Sequence, residues 1–97
     1  MQEHEKAYLW RRAMGYSRAK LARLTGYSQS AIADIEAGRY RNTGHPIPAY
    51  VMTRYRMMCG AVTANLSFDW YRARVTTSEA VREVTFPVAR QHDGDAP

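Results

Sequence analysis

The chain has 97 residues, 45% of them hydrophobic and 24% charged, proportions that fit one small globular domain and exclude a disordered or fibrous chain. Fourteen Lys and Arg against nine Asp and Glu leave a net charge of +5, and no apolar run approaches the roughly 20 residues that a bilayer-spanning helix needs. The single cysteine, Cys59, excludes an internal disulfide and a thiol cluster for zinc, and His4, His45 and His92 stand without partners at ligand spacing, so no metal and no cofactor are expected.

The polar start, MQEHEKAYLWRR, is unlike a secretory leader, so the expected location is the cytoplasm. The charge is uneven. Residues 1–60 carry ten basic and four acidic side chains, whereas residues 61–97 carry four and five. A basic first part beside a nearly neutral second part fits a polyanion-binding module followed by a segment with another task.

A first helix is predicted over Glu3–Met14. Its acidic start and basic end complement the helix dipole, and Ala7, Trp10, Ala13 and Met14 recur at helical spacing as a core stripe. Gly15 ends it, and Tyr16 is expected to pack under the next helix. A second helix is predicted over Arg18–Thr25 and a third over Gln29–Ala37, with Ser17 and Ser28 as N-caps and Gly26 and Gly38 as left-handed stops. Leu21, Ala22, Tyr27, Ile32 and Ile35 supply the inner apolar side. Two short helices joined by a tight turn, the second with small polar side chains facing outward, form the pattern of a helix-turn-helix, whose second helix enters the DNA major groove.

Residues 38–48, GRYRNTGHPIP, are predicted as a loop. A fourth helix is expected from near Pro48, with Val51, Tyr55, Met58 and Val62 on its inner face and Cys59 as a small buried hydrophobe. A fifth is expected over Ser67–Arg74, where at least one of Phe68 and Trp70 should close the core. Beyond it, Thr76 and Glu79 have capping-box spacing for a short helix, while Val84-Thr85-Phe86 favours a strand. The polar tail QHDGDAP is expected to be disordered.

Over about residues 7–72 the chain resembles the lambda-repressor-like (Cro-type) helix-turn-helix family. SRAKLARLTGYSQSAIADIEAG carries the likeness, and FDWYR resembles the VDWLL-type segment that opens the last helix of phage repressors. The resemblance implies an all-α fold: a five-helix DNA-binding domain over residues 1–74, then a short C-terminal dimerisation extension over 75–90, strand or short helix, and a tail over 91–97.

It also implies roles for individual residues. Arg11 and Glu36 match a structural ion pair between the first helix and the end of the recognition helix. Gln29, Ser30, Ala33 and Asp34 match the face that touches bases, Gln29 being able to bond adenine bidentately. Asp34 either accepts from a cytosine amino group or stays clear of the bases in solvent. Ser28, Arg39, Arg41, Asn42 and Thr43 match phosphate-gripping positions, as does Arg18, although the family usually has glutamine there. The stretch from Glu36 to Trp70 is about a dozen residues longer than in short phage repressors.

The function expected is that of a sequence-specific regulator binding double-stranded DNA. It would be a homodimeric repressor of a palindromic operator, of the kind found in phage or prophage regulators, self-repressing antitoxins and anti-CRISPR-associated autoregulators. The alternative is an antitoxin-type interaction module whose main partner is a protein. Neither a nucleophile–base set nor paired carboxylates nor a phosphate-cradling glycine loop is present in the sequence, so an enzyme is not expected.

Overall fold

The computed structural model describes residues 1–86, in which the chain forms two compact units that divide after Gly60. The disordered tail expected over 91–97, and the end of the 75–90 extension, lie outside the described residues.

The first unit is helical. Helix α1 spans Glu3–Met14, α2 Arg18–Thr25, α3 Gln29–Ala37 and α4 Ala49–Thr63, the last running three residues past the division. The first three occupy the residues expected of them because their ends are written locally. The Ser17 hydroxyl accepts from Lys20 N at 3.0 Å and the Ser28 hydroxyl from Ala31 N at 3.0 Å, each satisfying an amide that lacks a helical partner. Gly15, Gly26 and Gly38 stop the helices in the left-handed region.

Leu21, Ile32, Ile35, Met52, Tyr55 and Cys59 form the buried core, with Ala7, Trp10, Tyr16, Ala22, Tyr27, Ile47 and Val51 packed against it. Two aromatic pairs tie it together edge to face: Trp10 with Tyr16 at 6.0 Å and Tyr27 with Tyr55 at 5.3 Å. The buried residues of α4 are Met52, Tyr55 and Cys59; of the expected inner face, Tyr55 is buried and Val51 packs against the core, whereas Met58 is exposed, and Cys59 is buried as expected. In α1, Ala7 and Trp10 pack inward while Ala13 and Met14 are exposed. Burial holds the Tyr55 phenol well above its ordinary value, and Cys59 beside it raises it further.

The second unit overturns the five-helix, all-α expectation. Leu66–Phe68, Arg72–Thr76 and Val81–Thr85 form three strands, β1, β2 and β3, in an antiparallel sheet of order β1-β2-β3. There is no helix over Ser67–Arg74, and the spacing of Thr76 and Glu79 does not cap one. The reason lies in the strands' own pattern. RARVT alternates charged or polar with apolar residues, VREVT carries the β-branched Val81, Val84 and Thr85, and their register sets Arg74 opposite Glu83, bonded at 3.0 Å.

The turns agree. The Asp69 carboxylate accepts from Tyr71 N at 3.0 Å and Arg72 N at 2.8 Å, closing the β1–β2 turn. Those two bonds hold its carboxyl below the ordinary carboxylate range. Between β2 and β3 the Thr77 hydroxyl accepts from Glu79 N and Ala80 N at 3.2 and 3.1 Å. Phe68 and Trp70 are both exposed, neither closing a core among the described residues; they meet each other at 5.9 Å, and Phe68 meets Phe86 at 5.8 Å.

Burial also pushes the Cys59 thiol up, away from its reactive thiolate form. The native chain at pH 8 is therefore expected to react with a maleimide about 100-fold or more slower than the chain in urea, at a rate set by opening of the helical unit. Mass spectrometry of timed aliquots measures it.

Candidate nucleic-acid interface

Helix α3 is held from behind by one carboxylate. Glu36, in its last turn, is buried, as is Arg11 of α1. Arg11 Nε donates to Glu36 Oε2 at 2.6 Å and Arg11 Nη2 to Glu36 Oε1 at 3.0 Å, a two-pronged pair, while Arg11 Nη1 donates to the Tyr16 carbonyl at 2.9 Å. The hydrogen-bonded carboxylate holds the Arg11 guanidinium above its ordinary value, against the opposing effect of burial. The helix-one to helix-three pair implied by the resemblance is formed.

A third partner was not foreseen. Arg18 Nε donates to Glu36 Oε1 at 3.3 Å, so the arginine that stands where the family has glutamine reaches back from the first residue of α2 to the same carboxylate. Its side chain remains 45% exposed and keeps part of its guanidinium toward solvent. No spacing rule signals a contact between residues 18 apart on different helices.

The opposite end of α3 is open. Gln29 and Ser30 are exposed in its first turn, and Ala33 and Asp34 are half-buried further along. Ser28 has its hydroxyl engaged as the cap, next to the free amides of the first turn. The Asp34 carboxylate is not a bare acceptor: Arg41 Nε donates to it at 2.9 Å. Two residues expected to serve different DNA groups therefore neutralise each other. They lie seven apart, but α3 ends at Ala37, so helical spacing gave no sign that they meet.

The loop after α3 is organised rather than loose. Gly38 carries φ +80°, and a side chain there would place its Cβ 2.8 Å from His4 Nδ1, so α1 closely approaches the end of α3 at this point. Tyr40 N donates to the His45 carbonyl at 2.9 Å, Gly44 N to the Tyr40 carbonyl at 2.7 Å and Ile47 N to the Gly38 carbonyl at 3.1 Å. Arg39, Arg41, Asn42 and Thr43 are exposed on this frame, and the Thr43 hydroxyl accepts from His45 N at 3.2 Å.

Capped helices around a left-handed glycine, and a polar first turn of α3 backed by a buried ion pair, are what residues 8–44 contribute, and that stretch matches the family model described as helix-turn-helix. Residues 8–44 belong to the lambda-repressor-like, Cro-type helix-turn-helix family. The family is one of DNA-binding regulators, and the match covers 37 of the 97 residues, all within the helical unit. No curated protein and no solved structure matches the chain. The family match ends at residue 44, and the Asp69–Trp70 segment, which resembled the start of a last repressor helix, is a hairpin turn. Among the described residues no helix is long and apolar enough to cross a membrane.

The three-way contact at Glu36 separates two arginines by burial. Arg11→Met leaves Glu36 buried with only a half-exposed partner and is expected to destabilise the helical unit by about 3 kcal/mol. Arg18→Ala, whose loss leaves the two-pronged pair intact, should cost about 1 kcal/mol or less. Urea unfolding followed by circular dichroism measures both.

Proposed function

We propose that this chain is a sequence-specific transcriptional repressor that binds an inverted-repeat operator as a homodimer, with its own operon among its targets. The observation that carries the reading is the exposure of Gln29 and Ser30 on the first turn of a recognition helix whose last turn is locked by Arg11 and Glu36. Such a helix offers base-reading groups at a fixed angle. One helix reads only a few base pairs, so a two-fold pair is needed for a specific site.

In this reading Gln29 and Ser30 touch base edges, with Ala33 and the Arg41-bound Asp34 further along the groove. The amides of the first turn of α2, together with Arg18, Ser28, Arg39, Asn42 and Thr43, hold phosphates and set register without reading sequence. Arg41 acts in two ways. It brings positive charge to the backbone and cancels the Asp34 charge that phosphates would otherwise repel.

Selection of bound duplexes from a random pool tests the whole reading. The expected product is an inverted repeat with half-sites about one helical turn apart (~34 Å); a pool that shows no enriched sequence overturns it. On the selected site, Gln29→Ala should cost about 1–3 kcal/mol and relax preference at one base position. Arg39→Ala should weaken binding to every sequence alike and lower the salt slope by about one. Arg41→Ala should cost more than Arg39→Ala, because it also leaves Asp34 unpaired beside the phosphates. Fluorescence anisotropy over a salt series reads all three.

A further inference from the structure

The sheet of the second unit has two unlike faces. Its register puts Arg72, Arg74, Thr76, Val81, Glu83 and Thr85 on one side. There Glu83 bonds Arg74 at 3.0 Å and lies 4.0 Å from Arg72, so the charges on that face are largely satisfied among themselves. The alternate positions, Leu66, Phe68, Ala73, Val75 and Val84, make the other face, with Arg82 as its one charged residue among those described. Phe86 and Trp70 extend it, both within ring contact of Phe68.

We propose that this apolar face is the homodimer surface, packing sheet against sheet on the same face of a second copy. A second copy as occupant rests on the dimeric reading given above; the existence of the face does not. Three observations favour that occupant. Leu66, Phe68, Trp70, Val84 and Phe86 are 39–78% exposed, which at roughly 150–250 Å² per aromatic side chain leaves on the order of 500 Å² of surface uncovered. Two such faces together bury about 1,000 Å², the area that a biological interface should clear.

Charge points the same way. Residues 61–86 carry three basic and three acidic side chains, so two copies of this unit meet without repulsion, whereas residues 1–60 carry ten against four. Geometry is the third. An apolar face of one small sheet can meet its own copy across a two-fold axis, the same residues facing each other at the roughly 10 Å spacing of packed sheets.

Sedimentation equilibrium of the full chain tests the assignment. Wild type is expected to sediment at twice the monomer mass at micromolar concentration. Phe68→Thr combined with Trp70→Gly should raise the dimer dissociation constant about 100-fold or more. Both replacements suit the backbone: threonine favours strands, and glycine reaches the φ of +86° that Trp70 adopts. Val81→Lys, an exposed position on the opposite face, should leave the dimer unchanged.

A monomeric wild type overturns the proposal. So does a double variant that still dimerises as wild type does, or a Val81→Lys that dissociates instead. A full chain that dimerises only after residues 87–97 are removed overturns it too, by showing that this segment covers the face. Thermal unfolding and footprinting on a single half-site keep folding and DNA reading apart from dimerisation. The double variant should melt its helical unit as wild type does and still protect one half-site. Loss of base preference in wild type itself counts against the DNA reading, not against the face.

Discussion

The Glu36 carboxylate is the constraint on which the helical unit turns. A carboxylate taken out of water is costly unless its oxygens are bonded, and here three guanidinium nitrogens reach them from two other helices. Arg11 also donates from Nη1 to the Tyr16 carbonyl, just before α2, so a single side chain fixes α1, the α1–α2 connection and α3 together. Such a pair adds less net stability than its short distances suggest, because desolvation offsets much of the attraction. What it adds is a single permitted arrangement of three short helices, none of which would be stable alone.

That arrangement explains an asymmetry within α3. Gln29 and Glu36 are seven residues apart, nearly two full turns, and so lie on almost the same side of the helix. Yet Gln29 is exposed and Glu36 buried. The helix is clamped at its C-terminal end and projects at its N-terminal end about 10 Å away. Clamping one end while freeing the other gives a rigid probe whose free amides and first side chains face outward. The Asp34–Arg41 pair lies between the two ends. It removes a bare negative charge from a surface meant for a polyanion, at a site where the loop's own backbone bonds keep Arg41 within reach.

The sequence was legible where its signals are local. Ser17, Gly26, Ser28 and Gly38 each act on neighbours within four residues, so the limits of α2 and α3 could be read directly. The Arg11–Glu36 pair came only from the family resemblance, since nothing in the spacing joins residues 25 apart. The Arg18 and Arg41 contacts were illegible because they depend on tertiary placement. The fifth helix, expected where FDWYR resembles the opening of a last repressor helix, failed for a reason visible at Asp69. An N-cap aspartate accepts from the amides two and three residues on, and those are the amides of Tyr71 and Arg72 that it accepts from in the hairpin turn. The first turn of a helix and an Asx-turn look alike at that residue. The deciding information lay further along, in the alternation of RARVT and in the pairing of Arg74 with Glu83 across β2 and β3, which the FDWYR likeness does not contain.

Trp70 combines two unfavourable features at one position of the second unit. A bulky side chain at φ +86° is a rare and unfavourable conformation, since its Cβ crowds the backbone in the left-handed region. The same residue leaves a large indole in water, the other unfavourable feature at one position. Within residues 61–86 only its ring contact with Phe68 offsets these terms. A small residue would satisfy the turn better on both counts, so the turn alone does not account for tryptophan there. Burial against a second copy, as proposed above, would. It would recover most of the indole's transfer free energy, and it would use the strained backbone to hold the ring level with Phe68 and Phe86 as one continuous patch.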